Sequence, residues 1–158
     1  MTDEPTFLTP AALQKLEDEL EHLKTAGREE IEERIAEARS HGDLRENADY
    51  DAAKNDQGLM EARIRKLEHL INTAEVREVE DTGRVEIGSV VTVVDSDGDE
   101  MEYFVAPQEN KVAGLFLASP SSPLGAALLG AAVDDEVSYE APAGTMTVRI
   151  TALRPYEG

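Results

Sequence analysis

The sequence predicts an α+β protein in two parts. A long antiparallel α-helical coiled-coil hairpin comes first, and a β-rich domain with one short helix follows. Three observations carry this reading. Apolar residues recur every three or four positions through the first half of the chain. Gly42 interrupts that pattern midway. After Arg84 the period falls to two and valines cluster.

The first helix opens at Thr9-Pro10, a hydroxyl N-cap followed by proline at the first helical position. Leu13, Leu16, Leu20 and Leu23 form the start of its apolar seam, which continues through Gly27, Ile31, Ile35 and Ala38. The later steps of four break the heptad in the manner of a stutter, which locally unwinds a coiled coil. Gly42 is placed to cap this helix. A second seam follows at Tyr50, Ala53, Gln57, Met60, Ile64, Leu67, Ile71 and Ala74, with steps of three and four in alternation. Two helices of about 30 residues joined by a short link lie antiparallel, and such a hairpin is roughly 45 Å long. So long a rod has little core per residue, so its length serves reach.

The second part begins near Asp81-Thr82-Gly83. Residues 89–94 read as a valine-rich strand, Asp95-Ser96-Asp97-Gly98-Asp99 as a turn, and 101–105 as the returning strand. Residues 115–118 read as a third strand and 124–132 as one short buried helix. Val137 and Tyr139 alternate with polar neighbours. In 145–151, Met146, Val148 and Ile150 share one face. The expected domains are therefore 1–80, a hairpin with an acidic tip near 42–47, and 84–158.

Composition narrows the function. Lys+Arg is 15 against Asp+Glu 34, a net charge of -19. Such a chain repels nucleic acid at long range, so any contact with DNA or RNA is confined to a local basic patch. With no cysteine, a disulfide framework and a thiolate zinc site are both excluded. The absence of a signal-like N-terminus and of any long apolar run leads to the expectation of a soluble cytoplasmic protein with no membrane partner. The shaft is acidic, while Arg34, Arg39, Arg45 and Lys54 gather toward the tip.

The tip run, GDLRENADYDAAKNDQ over residues 42–57, holds the chemistry. Asp43 and Glu46 are three apart and share a face in a helical first turn. Two readings stay open for them. One is a capping box, with Asp43 accepting orphan amide protons and Glu46 reaching back. The other is a magnesium site of oxygen donors, which two carboxylates complete only with ligands from another molecule. Both hold together if capping leaves one Asp43 oxygen free.

This run, continuing into Glu61-Ala62-Arg63-Ile64, resembles the hairpin tip of the Gre family of bacterial transcript cleavage factors. The resemblance extends over essentially the whole chain, including Ser122-Pro123-Leu124-Gly125 and Leu128-Leu129-Gly130. It implies an FKBP-like C-terminal domain that docks on RNA polymerase through Ser121, Ser122 and Pro123. It also implies that the hairpin enters the polymerase secondary channel. There the tip stimulates cleavage of the RNA 3′ end extruded by backtracking, rescuing arrested complexes. By the same resemblance Asp43 and Glu46 are metal and catalytic residues that share magnesium with the polymerase, and Asn47 supports the tip. Arg39 and Lys54 form the basic patch on the RNA. The chain is then no enzyme by itself, since the polymerase performs the hydrolysis. The basic patch is thin, which implies short extruded fragments. The family often carries lysine where this chain has Ala131, which weakens that part of the docking surface.

The alternatives are a channel-occupying regulator without cleavage, a prolyl isomerase or peptide-binding chaperone, and a coiled-coil module with a merely capped tip. The chaperone reading is disfavoured by the lack of tryptophan and the few aromatics available to line a proline pocket. The two seams satisfy one another within one chain, so the free protein is expected to be a monomer. Sedimentation of a stable dimer would contradict this.

Overall fold

Thr9 opens the first helix as expected: its hydroxyl accepts the Ala12 N–H at 3.1 Å. The structure is a computed structural model that describes residues 5–40 and 44–157, with the backbone alone at 44–47. Helix α1 (Pro10–His22) passes directly into a π-helical stretch, Leu23–Gly27, and then into α2 (Arg28–Ser40). After the link, α3 spans Leu44–Thr73. Gly42, the expected cap, lies outside the described residues.

The π-helical stretch sits where the seam steps by four three times in succession, from Leu23 to Ile35. An α-helix turns once every 3.6 residues, so such steps drift off the seam unless one turn widens. The widening is visible in the Arg28 N–H, which donates to the Leu23 carbonyl five residues back. The Thr25 hydroxyl donates to the Glu21 carbonyl at 2.7 Å. Gly27 lies close to the facing helix, where an added β-carbon would stand 3.2 Å from Met60 Sδ.

The hairpin is antiparallel, as partners across α2 and α3 run in opposite senses: Arg28 with Glu61, Arg34 with Asp56, Arg39 with Tyr50. Ile31, Ile35 and Ala53 form its buried centre, with Tyr50 and Met60 packed against them. Ile64 and Leu67 are buried further along the second seam.

The chain divides into two compact units. One is Leu13–Ala74, and the other joins Pro5–Ala12 to residues 75–157. In this division by compactness the N-terminal segment goes with the second unit. The cause is strand pairing, to which helical periodicity is blind. β1 (Phe7–Leu8) pairs in parallel with β2 (Glu75–Val76). Asn110, 1% exposed, accepts the Thr9 N–H at 2.8 Å and donates to the Phe7 carbonyl at 2.9 Å. Gly88, at φ +103°, leaves room for this segment: a β-carbon there would collide with Val79 and stand 3.2 Å from Phe7.

The rest of the second unit is a mixed five-stranded sheet. Its strands are β3 (Ser89–Asp95), β4 (Glu100–Val105), β5 (Phe116–Ala118), β6 (Glu136–Ala141) and β7 (Gly144–Pro155). The order is β5-β4-β3-β7-β6, antiparallel except for the parallel β4–β5 pair. Both faces of β3 are covered toward its start, which is why it reads as a valine run. Val91, Val93, Val105, Val148 and Ile150 pack with Leu128 in one cluster, and Val90, Phe104 and Ala106 lie in another. The strand β7 outruns the expected 145–151, and its register shifts opposite Thr92/Val93. The expected helix 124–132 is shorter, α4 (Pro123–Leu128), because the chain turns at Gly130 with φ +84°. Among the described residues no helix is long and apolar enough to cross a membrane.

Replacing Asn110 by leucine orphans the Thr9 N–H and the Phe7 carbonyl in a buried place. Urea denaturation of Asn110→Leu should show a loss of about 2 kcal/mol or more. It should also expose residues 5–12 to protease. Unchanged stability and protection would show that Asn110 does not fix this segment.

Candidate functional site

The residues singled out in the sequence fall on two separate units. Asp43 lies outside the described residues. Glu46 and Asn47 occupy the first turn of α3, where only the backbone is described. Arg39 stands in the last turn of α2 and is exposed. Its guanidinium carbon lies 5.6 Å from the Tyr50 ring centroid, within cation–π range. Lys54 is exposed one turn beyond Tyr50, and its ammonium donates to the Gln57 amide oxygen at 3.0 Å. Arg34, counted among the cations gathering toward the tip, is paired with Asp56 at 3.0 Å.

The shaft below is laced by ion pairs that helical seams alone do not announce. Arg28 forks onto both Glu61 oxygens at 2.9 and 3.0 Å, and Arg63 onto both Glu19 oxygens at 2.9 Å. Lys24 lies 3.5 Å from Glu68. The Arg63 hydrogen bonds hold the Glu19 carboxyl below its ordinary 4.5, and those of Arg28 do the same for Glu61. The signal available in the sequence was opposite charge at positions that face each other once the antiparallel register is known. The register itself comes only from the fold.

In the second unit, Ser121, Ser122 and Pro123 lie together at the start of α4. Ser122 is its N-cap: the hydroxyl accepts the Gly125 N–H at 3.1 Å and donates to the Ser119 carbonyl at 2.6 Å. Ser121 and Pro123 are exposed, and the Ser121 hydroxyl bonds that of Ser119 at 2.9 Å. This loop closes tightly. A β-carbon on Gly125 would overlap the Ser119 carbonyl oxygen, so glycine is demanded there by close approach rather than by φ. Ala131 packs partly buried against the core.

Among the described residues one group of three acids has ligand atoms close together, Asp95, Asp97 and Asp99, all within 4.8 Å. Its geometry is that of a turn, with the Asp95 carboxylate accepting the Asp97 and Asp99 N–H groups at 2.9 Å.

Two family models match the chain. The model described as "Transcription elongation factor, N-terminal" covers residues 6–76, and that described as "Transcription elongation factor, GreA/GreB, C-term" covers 80–155. The chain belongs to the GreA/GreB family of transcription elongation factors. Its relatives within that family are close along their whole length. The transcription elongation factor GreA of Thermoanaerobacter pseudethanolicus is 44% identical, over 95% of this chain and 98% of the relative. That of Bacillus subtilis is 42% identical, over 97% and 99%. A crystal structure of the GreA factor homolog 1 protein of Thermus thermophilus aligns over 96% of this chain and 99% of that one, at 30% identity and a TM-score of 0.44.

The forked pairs lead us to expect a modest acid sensitivity of the hairpin. The Glu61 carboxyl is depressed in the folded chain, so its contribution is complete above its ordinary 4.5 and is lost as pH falls through the lower folded value. Glu61→Gln should lower the melting temperature at neutral pH, and the gap from wild type should close in strong acid. A gap independent of pH would mean that the Arg28–Glu61 charge pair is not its source.

Proposed function

We propose that this family member binds bacterial RNA polymerase and extends its hairpin into the secondary channel. There it stimulates magnesium-dependent cleavage of the 3′ end of backtracked RNA. The observation that carries this reading is the tip run. It keeps Asp43 and Glu46 three apart in sequence, with Glu46 in the first turn of α3, on an antiparallel hairpin whose second helix alone spans 30 residues. At a rise of 1.5 Å per residue that helix is about 45 Å long, enough to bring its first turn deep into a channel.

The donor set suits the ion. Carboxylate oxygens of Asp43 and Glu46 are the hard ligands magnesium takes, and two of them hold it weakly unless a second protein completes the shell. Magnesium held jointly with the polymerase would activate water and stabilise the leaving 3′ oxygen. Asp43 is the principal ligand, and Glu46 acts on metal or water. Asn47 supports the tip by hydrogen bonding. Arg39 and Lys54 donate to phosphates of the extruded strand, which position the RNA without reading its sequence. Ser121 and Pro123, exposed beside the Ser122 cap, dock on the polymerase. The hydrolysis belongs to the polymerase, the free factor is a monomer, and the work is done in the cytoplasm.

The deciding measurement is transcript cleavage in a backtracked elongation complex with the cognate polymerase and magnesium. Wild type should cleave, and Asp43→Asn, which keeps the side chain's shape but loses its charge, should lose at least about tenfold. Inhibited elongation without cleavage by wild type would indicate a channel-occupying regulator instead. No effect of either kind would reduce the tip carboxylates to caps.

A further inference from the structure

Six cations of the hairpin have partners of two kinds among the described residues. Lys24, Arg28, Arg34 and Arg63 each face a carboxylate on the other helix, between 2.9 and 3.5 Å away. Arg39 and Lys54 face neutral groups instead, the Tyr50 ring and the Gln57 amide. Among the described residues neither has a carboxylate in ion-pair range.

The difference matters for phosphate binding. A forked carboxylate neutralises a guanidinium and occupies the N–H edge that a phosphate would use. An aromatic face orients the same group while leaving its net charge and its N–H edges available. Tyr50 is well suited to be the fixed half of such a pair. It is half-buried and packs against the cluster of Ile31, Ile35 and Ala53, so its ring is tied to the hairpin core. Arg39 is exposed and would otherwise sample many rotamers.

We infer that Tyr50 is a positioning residue: it holds the Arg39 guanidinium across the hairpin, charged and oriented, to receive a phosphate of the extruded RNA. This rests on the reading of Arg39 as an RNA contact given above. It adds a group to the site that touches no nucleic acid itself. The rotamer freedom of Arg39 is surrendered in the free protein rather than on binding, which favours association. Hydrogen bonding from Arg39 holds the Tyr50 phenol below its ordinary value, against desolvation and Asp51, which raise it, and with smaller help from Lys54.

The test is a double-mutant cycle in the full-length factor, on backtracked complexes carrying a photoreactive group at the RNA 3′ end. Crosslinking is read against factor concentration and salt, and cleavage is read in the same complexes. Tyr50→Leu keeps apolar packing and removes the ring. It should raise the half-saturating concentration about two- to fivefold. It should also flatten the salt dependence by about 0.7, one single-strand phosphate contact. Tyr50→Phe, which keeps the ring and loses only the hydroxyl, should fall between wild type and Tyr50→Leu. In an Arg39→Gln background Tyr50→Leu should have no further effect. Equal effects in both backgrounds, or an unchanged salt slope, would leave Tyr50 a packing residue and overturn the inference. Coupled crosslinking without cleavage by wild type would sustain it while overturning the cleavage reading, and no crosslink by wild type would overturn it. If Tyr50→Leu loses helicity by circular dichroism, Tyr50→Met carries the same comparison.

Discussion

The hairpin depends on one constraint: two long helices must stay in register although each offers the other only a narrow apolar stripe. Ile31, Ile35 and Ala53 are its small buried centre, and little else on the α2–α3 contact is fully covered. Apolar seams that thin are tolerant of sliding by a turn, because one heptad resembles the next. Charge pairs are less tolerant. The forks of Arg28 on Glu61 and Arg63 on Glu19 fix which turn faces which, and exposed pairs of this kind contribute more to register than to stability. Where Arg39 meets Tyr50 follows from that register.

The π-helical turn at Leu23–Gly27 belongs to the same constraint. The seam of the first helix changes its stride there, and a uniform α-helix would rotate Ile31 and Ile35 away from the partner. One wide turn restores the facing, and Gly27 admits Met60 at the crossing. The acidity of the shaft is consistent with this design. Excess carboxylate keeps the rod soluble and repels nucleic acid along its length, while Arg39 and Lys54 meet neutral partners among the described residues.

The second unit rests on a different principle. Its sheet buries one face along its length and the second only around Val90, Phe104 and Ala106, and its edges are short or charged, as in β5 and in β6 with Glu136 and Glu140. Asn110 is the buried polar residue that ties the N-terminal segment to this unit, with each of its bonds going to backbone. The same unit carries the Ser119 to Gly125 loop, in which a serine cap and a glycine of no bulk hold Ser121 and Pro123 out to solvent.

By itself the sequence determined the helices, the strands of the sheet, the tip run and through it the family, because these are local: periodicity, caps, turn residues and a contiguous motif. The stutter at Leu23–Ile35 was legible too, since it is a matter of counting. Only the tertiary structure decided that Pro5–Ala12 belongs with the sheet, because the pairing of Phe7 with Glu75 spans most of the hairpin's length in sequence and leaves no periodic trace. It also decided the end of α4, where a positive φ at Gly130 stops a run that composition would have continued. Above all it decided the partners of the cations. Arg34 and Arg39 look alike in the sequence, five residues apart on one helix. The antiparallel register sets one against a carboxylate and the other against an aromatic ring, because what a side chain meets across a helix pair depends on the alignment of the whole rod.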